Sequence, residues 1–234
     1  MDLSLNGKKA IITGGSRGIG FEIAKTLISE GAQVAIVARD ADRLRNSAAF
    51  LENTYGVPVL SISYDIKNED QVNNMVLEAH DRLGGLDILI NNGAPAGGAG
   101  YSVENISDEN IWENLDAKTV GYLRCTRAAV PFMKSKGWGR IINVGGMAAR
   151  NASTIPGGIR NAGVVVLSKV TSEDLGRFGI TVNTVHPGGV RITDQLGTWN
   201  SPTAGDVANL VAFLCSPIAS CLTGESIGVA AGGG

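Results

Sequence analysis

The sequence predicts an α/β fold, a doubly wound parallel sheet of about seven strands with helices on both faces. Three observations predict it. Short continuous β-branched runs alternate with longer amphipathic stretches along the 234 residues. The runs stay apolar throughout, without the in–out alternation of a half-solvated sheet, so both faces of the strands are covered. The glycine-rich segments 14–20, 93–100, 145–146 and 187–189 each follow one of those runs, and open parallel sheets bind ligands at the carboxyl ends of their strands.

Lys9-Ala10-Ile11-Ile12 is the first strand. Ile19 to Glu30 follows as a helix with Ile19, Ile23, Ala24, Leu27 and Ile28 on one face, and Gly31 ends it. Val34 to Val37 is the second strand, Ala41 to Tyr55 a helix and Val57 to Ser63 a strand. Asn68 to Leu83 reads as a helix and Leu86 to Ile90 as a strand. Ser107 to Lys136 is one long helical stretch, and Gly139 to Val144 a strand. Gly157 to Arg177 is a second long helix, followed by a strand from Ile180 to Val185. Ala204 to Leu214 is the last helix and Ser226 to Val229 the last strand.

Composition narrows the possible functions. With 44% hydrophobic and 18% charged residues, the chain is not of the disordered class. No linker, repeat or shift of composition divides it, so residues 1–234 are expected to form a single domain. A formal net charge of −2 argues against a nucleic-acid or anionic-membrane partner. No apolar run reaches about 18 residues, so no spanning helix is expected. The opening MDLSLNGKKAIITGG lacks the basic-then-apolar order of a signal peptide. Cys125, Cys215 and Cys221 are scattered, with no CxxC or histidine cluster. They read as buried thiols in a reducing compartment, expected to be the cytoplasm, and not as a disulfide frame or zinc site.

Thr13-Gly14-Gly15-Ser16-Arg17-Gly18-Ile19-Gly20 joins the first strand to the first helix. In that context Gly14 permits a tight turn, Gly18 lets the backbone approach a pyrophosphate, and Gly20 lets the helix pack closely on the strand. The helix N-terminus then meets the phosphate charge, the arrangement of a Rossmann-type site. The second strand ends in Ala38-Arg39-Asp40. An acidic residue there binds the ribose 2′-hydroxyl of NAD, whereas an arginine accommodates the 2′-phosphate of NADP. Arg17 adds a second cation, and together the arginines favour NADP(H). Arg39 as a merely solvated strand-end charge is the alternative, and Asp40 speaks for NAD.

The spacing TGxxxGxG resembles that of the classical short-chain dehydrogenase/reductase family, and the resemblance spans nearly the whole chain. Asp65-Ile66 is similar to the family's adenine-side segment, and Asn91-Asn92-Gly93-Ala94 to its Asn-Asn-Ala-Gly with the last two exchanged. Asn143-Val144 precedes the position of its catalytic serine. Pro187-Gly188-Gly189-Val190, with Thr193, is similar to the loop that contacts the nicotinamide, and 230–233 to the family's C-terminal end. The resemblance implies cofactor contacts from Gly14, Ser16, Arg17, Gly18, Ile19, Gly20, Arg39, Asp65, Ile66, Asn91, Gly93, Pro187, Gly188, Val190 and Thr193. It also implies a small-molecule substrate and a homo-oligomer, a tetramer or dimer, paired through the two long helices. Consecutive Val164, Val165, Val166 and Leu167 give the second of these more apolar surface than one buried face needs.

The catalytic half departs from the family's pattern. The family reduces carbonyls with a Ser, a Tyr and a Lys, the last two spaced YxxxK, aided by an Asn. The tyrosines here are Tyr55, Tyr64, Tyr101 and Tyr122, and none lies beyond position 122. Anchored on Ala162-Gly163 and Leu167-Ser168-Lys169, Gly157 occupies the Tyr position and Asn161 the Lys position, with Gly145 and Gly146 at the serine. Lys118 lies where the family has its Asn. The Lys and Asn positions thus appear exchanged, and Lys118 and Asn161 are the candidate catalytic residues. An ordinary solvated helix lysine is the alternative for Lys118.

Replacements for the missing tyrosine are few. Tyr122 lies one turn from Lys118 and is either core or acid; Tyr101 falls where a pocket wall would be. His186 stands at the ligand edge and reads as a structural hydrogen-bonding group, while His80 has no evident partner. Ser153 and Thr154 could offer a hydroxyl. Three functions remain open: an atypical NADP(H)-dependent oxidoreductase with a rebuilt proton-donor site, a non-redox enzyme on the same fold, and a cofactor-binding protein without turnover, such as a sensor or inactive subunit.

Overall fold

β1 (Lys9–Thr13), β2 (Gln33–Ala38), β3 (Val59–Ser63), β4 (Ile88–Asn91), β5 (Gly139–Val144), β6 (Ile180–Pro187) and β7 (Ser226–Val229) form one parallel sheet in the order β3-β2-β1-β4-β5-β6-β7. The computed structural model describes residues 1–94, 102–151, 154–193, 198 and 201–230. The expected doubly wound architecture is therefore what the chain adopts. The sheet grows one way from β1 to β3 and the other way from β4 to β7. The crevice between the carboxyl ends of β1 and β4 is the switch point at which such folds bind ligands.

Seven α-helices flank the sheet among the described residues: α1 (Gly18–Ser29), α2 (Ala41–Tyr55), α3 (Glu69–Leu83), α4 (Asp108–Leu115), α5 (Gly121–Lys136), α6 (Ile155–Leu175) and α7 (Ala204–Cys215). Alternate strand residues feed two cores. Ile12, Val34 and Ile36 pack with Ile23 and Leu27 of α1, Leu44 and Leu51 of α2, and Val207 and Val211 of α7. Ile11, Ala35 and Val37 pack on the other face with Met75 of α3, Tyr122 and Met133 of α5, and Val164 of α6. This two-sided burial is why the strands read as unbroken apolar runs.

Several expectations shift: of the three cysteines expected to be buried, Cys125 and Cys215 are, whereas Cys221 is exposed. The single helix expected over 107–136 is two helices joined by a π-helical turn, Asp116–Val120. The turn is held from both sides: the Asp116 carboxylate accepts from Arg124 at 2.7 Å, and Thr119 Oγ1 donates to the Arg160 carbonyl at 2.9 Å. Tertiary contacts of this kind leave no mark on hydrophobic periodicity. The second long helix begins at Ile155, because Thr154 caps it, and its last turn, Gly176–Phe178, is 3₁₀. β6 runs on through His186 and Pro187 because β7 pairs with both.

Candidate active site

The cradle at the end of β1 is built on glycines that cannot be replaced. Gly14 has φ +68°, and a Cβ there would fall 2.8 Å from Asn92 Nδ2. A Cβ on Gly20 would fall 2.3 Å from the Gly14 carbonyl oxygen, so α1 can cross the turn only through glycine. Gly18 also has positive φ, +58°, yet a Cβ there would meet nothing nearer than Ile192 at 3.9 Å; its conformation demands glycine, and the space before it stays open. Thr13 ties the turn to β4, its Oγ1 donating to the Ile90 carbonyl at 3.2 Å and accepting from the Asn92 and Gly93 amides at 2.9 Å each.

The N-terminus of α1 is bare. Arg17 takes the extended N-cap conformation but supplies no side-chain cap. By contrast Asp40, Asn68, Ser107, Thr154 and Thr203 each cap their helices through a side chain. Uncapped amides and the positive end of the helix dipole form an anion site.

That helix start opens into a cavity of about 1060 Å³ over the switch point. Gly14, Ser16, Arg17, Gly18 and Ile19 form one wall, Arg39, Asp65 and Ile66 another, and Gly93 and Val190 the inner end. Asp40 and Arg43 line it too. The Asp40 carboxylate accepts the Arg43 amide at 3.0 Å as the cap of α2 and pairs with the Arg43 guanidinium at 3.0 Å. It is thus engaged by its own helix, which removes the strongest sequence argument for NAD. Lys67 adds a further cation to the rim. The cradle, the bare helix start and the cationic rim fit a phosphorylated dinucleotide.

Lys118 sits in the π turn and is 5% exposed. The solvated-lysine alternative is overturned. Its Nζ donates to the Gly145 carbonyl oxygen and to Asn161 Oδ1, both at 2.8 Å. Asn161, equally buried, donates from Nδ2 to the Gly157 carbonyl at 2.8 Å. Burial, then the nearby Arg160 guanidinium, pulls the Lys118 ammonium down to a pKa of about 7. The exchanged pair therefore meets across α6, with a π turn setting the reach.

The other candidates sort by their contacts. Tyr122 is fully buried, its hydroxyl donates to the Val144 carbonyl at 3.1 Å, and burial raises its pKa. It is a core residue, not an acid. His186 is fully buried, with Nδ1 3.0 Å from the Gly146 carbonyl and Nε2 2.8 Å from Ser226 Oγ, and burial lowers its pKa; it keeps the structural role. His80 lies on Asp81 at 2.9 Å and stacks on Phe132. Thr154 caps α6 by accepting from the Gly157 amide at 3.1 Å. Tyr101, Ser153 and 231–233 lie outside the described residues.

The sequence profile of the short chain dehydrogenase family matches residues 8–204. The chain belongs to the short chain dehydrogenase family. It is 30% identical to a 3-oxoacyl-(acyl-carrier-protein) reductase FabG of Aquifex aeolicus over 99% of both chains. It is also 30% identical to a 3alpha-hydroxysteroid dehydrogenase of Mediterraneibacter gnavus over 98% of both. L-sorbose reductase from Gluconobacter frateurii, solved with NADPH and L-sorbose, superposes with a TM-score of 0.90 at 28% identity, covering 99% of this chain and 98% of that one.

Within this short chain dehydrogenase, several of the expected residues are not in the lining of the cavity, the candidate catalytic pair Lys118 and Asn161 among them. Asn91 does not line the cavity; it is fully buried and its amide donates to Asn143 Oδ1 at 2.8 Å. From there Asn143 reaches Ser168 at 2.8 Å, and Thr184 reaches the same Ser168 at 2.7 Å. This network fixes β4, β5, β6 and α6 to one another. Asn92 is the member of the pair that faces the cleft. Pro187 and Gly188 are held in the sheet, where Gly188 donates to the Val229 carbonyl, and neither they nor the half-buried Thr193 line the cavity. Gly20 supports the cradle from behind. Thr13, Asn92 and Arg43 went unsingled by sequence reasoning. Thr13 and Asn92 stand inside the quoted motifs, without a role assigned there, and Arg43 lies four residues beyond Arg39 on the first turn of a helix.

Proposed function

We propose that this chain is an NADP(H)-dependent oxidoreductase acting on a carbonyl or hydroxyl substrate through a rebuilt catalytic site. The observation that carries the reading is the buried contact between Lys118 and Asn161, 2.8 Å apart. A bound nicotinamide would supply or accept the hydride. The chain's residues would then do the rest. Arg17, Arg39 and Arg43 hold the 2′-phosphate, and the amides of the α1 start hold the pyrophosphate. The preference for NADP(H) is supported by the engagement of Asp40 and by the NADPH complex of the sorbose reductase.

Where the family's pattern has hydroxyl donors, this chain has Gly145 and Gly146 at the serine position and Gly157 at the tyrosine position. Lys118 takes over the proton: as an ammonium it gives one to the oxygen of a carbonyl being reduced, and as an amine it accepts one from an alcohol being oxidised. Its lowered pKa suits both roles near neutrality. Asn161 holds the ammonium in place through its Oδ1 and is itself held by the helix.

Absorbance at 340 nm during incubation with a carbonyl and alcohol panel tests this. Turnover that collapses in Lys118→Met supports the proposal. Tight NADPH binding without turnover of any panel member overturns it in favour of a cofactor-binding protein, a reading that the glycines at 145, 146 and 157 favour. We also propose that the whole chain acts as one catalytic domain and self-associates. Val120 and Leu123 about α5, and Val166 and Val170 on α6, expose apolar side chains. Light scattering at micromolar concentration is expected to show a dimer or tetramer.

A further inference from the structure

The space at the nucleotide end does not stop at its cationic rim. Beyond Arg17 and Arg43 a second hollow, of about 320 Å³, runs between α1 and α2. Ser16, Arg17 and Arg43 line both spaces, so the two meet at the cations that the NADP(H) reading gives to the 2′-phosphate. Ser47 lines the hollow as well, and its Oγ donates to the Ser16 carbonyl at 2.9 Å. That bond fixes α2 against the cradle and holds the hollow in place beside it. The volume is that of a small-molecule site.

The two ends of the hollow differ in chemistry. At the shared end stand guanidinium groups. Arg17 is exposed and makes no ion pair among the described residues. Arg43 pairs with Asp40 through Nη2, and a guanidinium has further N–H donors to offer. None of the residues lining the hollow is acidic. Away from the cations lie Phe21 and Phe50, their rings 5.9 Å apart and tilted by 50°. Phe50 is 55% exposed. A single exposed apolar side chain is ordinary, but this one is packed on a second ring inside a hollow that shares its cations with a ligand site. The rings leave no slot for a third: two faces holding a ring between them stand about 7 Å apart, twice the carbon–carbon contact distance of about 3.5 Å. An alkyl chain needs no slot and can lie along both.

We propose that this hollow binds a medium-chain fatty acid, with its carboxylate on Arg17 and Arg43 and its alkyl chain along Phe21 and Phe50, and that the acid thereby excludes NADP(H). The exclusion, though not the fatty-acid site itself, rests on the reading of these arginines as holders of the 2′-phosphate. Arginine takes a carboxylate through the same charge-assisted hydrogen bonds with which it takes a phosphate. Each methylene laid on the rings adds affinity by leaving water. The volume sets the length: a water molecule in the liquid fills about 30 Å³, a methylene much the same, so about ten such groups fill the hollow. An alcohol of equal length lacks the head, and a short acid lacks the tail. NADH, without a 2′-phosphate, competes less for the arginines than NADPH does.

The test is calorimetric titration of the ligand-free protein with octanoate, octan-1-ol and butanoate. Octanoate is expected to bind once per chain and at least tenfold more tightly than either control. Phe50→Ser should lower its affinity to that of butanoate, and Phe50→Leu, which keeps an apolar side chain there, should preserve it. Phe50 is exposed and lies outside the nucleotide cavity, so NADPH affinity should be the same in both variants. Arg43→Ala should weaken octanoate about tenfold. At ten times its own Kd, octanoate should weaken NADPH about tenfold and NADH by less, as read by fluorescence titration. No binding of octanoate, equal binding of octan-1-ol, uptake that does not saturate at one molecule per chain, or an affinity unchanged in Phe50→Ser overturns the inference. Octanoate bound through Phe50 and Arg43 while NADPH affinity stays unmoved would retain the fatty-acid site and defeat the placing of the 2′-phosphate on these arginines. A preference for NADPH that is lost in Arg43→Ala, with no binding of octanoate, would do the reverse.

Discussion

Two regions of the molecule, the rim of the cleft and the buried contact between the π turn and α6, solve the burial of charge in opposite ways. At the nucleotide end the cations Arg17, Arg39 and Arg43 stand on the rim, exposed to water, and wait for a phosphate. At the end proposed to be catalytic the cation, Lys118, is 5% exposed and held by neutral oxygens. Rim charges set the choice of ligand at little expense to the fold. A buried one strains the fold and acquires an unusual pKa in return.

The largest expected effects come from removing that strained charge. Lys118→Met should lower turnover by about 10²–10⁴-fold, the worth of a positioned acid, while nucleotide affinity, set at the other end, stays within a few-fold. The same substitution should stabilise the protein by about 1–4 kcal/mol near pH 6, since a methionine of similar volume has no charge to desolvate. The Lys118 pKa falls from its usual value to about 7 on folding. The unfolded chain therefore binds more protons between about 7 and 10.5, and wild-type stability rises with pH across that window. The variant's advantage should be full below pH 7 and fade towards pH 10 in thermal melts. Reduction, which needs the ammonium, should slow as pH rises through 7; oxidation should quicken. The groups facing Lys118 are Arg160 on α6, neutral His186 on β6 and Tyr122 on α5, whose raised pKa keeps it protonated throughout. A flat pH profile, or a destabilised variant, would break the comparison.

Two glycines sharpen it. Gly20→Ala at the nucleotide end forces a Cβ to within 2.3 Å of a backbone oxygen, and should destabilise by about 1–3 kcal/mol and weaken nucleotide binding more than tenfold. Gly158→Ala at the catalytic end has room, with Ala148 O at 3.7 Å, and should stabilise α6 by about 0.5–1 kcal/mol. Melting curves of the two variants should move in opposite directions.

This asymmetry also explains what was legible beforehand. The sheet, the flanking helices and the cradle follow from local signals: unbroken apolar runs, helical stripes, and glycines between a strand and a helix. Boundaries such as Ala41–Tyr55 and Ser226–Val229 fall where the periodicity ends. The catalytic end rests on contacts between distant segments. Lys118 meets Asn161 through a π turn whose five residues look like ordinary helix, tied down by Arg124 and Arg160 from elsewhere in the chain. Asn91 and Asn92 are chemically identical neighbours in the sequence. Asn91, the last residue of β4, turns into the Asn143–Ser168 network, while Asn92, just beyond the strand, is held at the cleft by Thr13 and Gly14.

A smaller effect concerns ligand choice at the rim. Arg39→Ala and Arg43→Ala should each weaken NADPH by about tenfold, or 1.4 kcal/mol, and leave NADH nearly unchanged, because only the 2′-phosphate reaches them. Arg43→Ala carries a second consequence. It frees the Asp40 carboxylate from its guanidinium partner, so NADH affinity should hold or improve slightly in that variant alone. Fluorescence titration of both cofactors separates the two arginines. Equal losses for NADPH and NADH would mean that the rim acts through overall charge and does not read the 2′-phosphate.

The smallest effect distinguishes a helix start kept for a ligand from one kept for the fold. Thr203 closes α7 with a reciprocal capping box, exchanging hydrogen bonds with Asp206, and the helix start is buried. Thr203→Ala should lower stability by about 1 kcal/mol and leave nucleotide binding unmoved. At the start of α1, Arg17 already has the extended backbone of an N-cap, φ −169° and ψ 167°, but no side chain that can accept. Arg17→Ser supplies the acceptor. It should raise the stability of the ligand-free protein by about 0.5–1 kcal/mol while weakening NADPH, since a serine occupies amides that a pyrophosphate would bind and removes a rim cation. The stabilisation should vanish when NADPH is saturating, because the ligand then does the capping. Stability that rises equally with and without NADPH would mean that the bare start of α1 is not the phosphate site, and the nucleotide end would lose its defining feature.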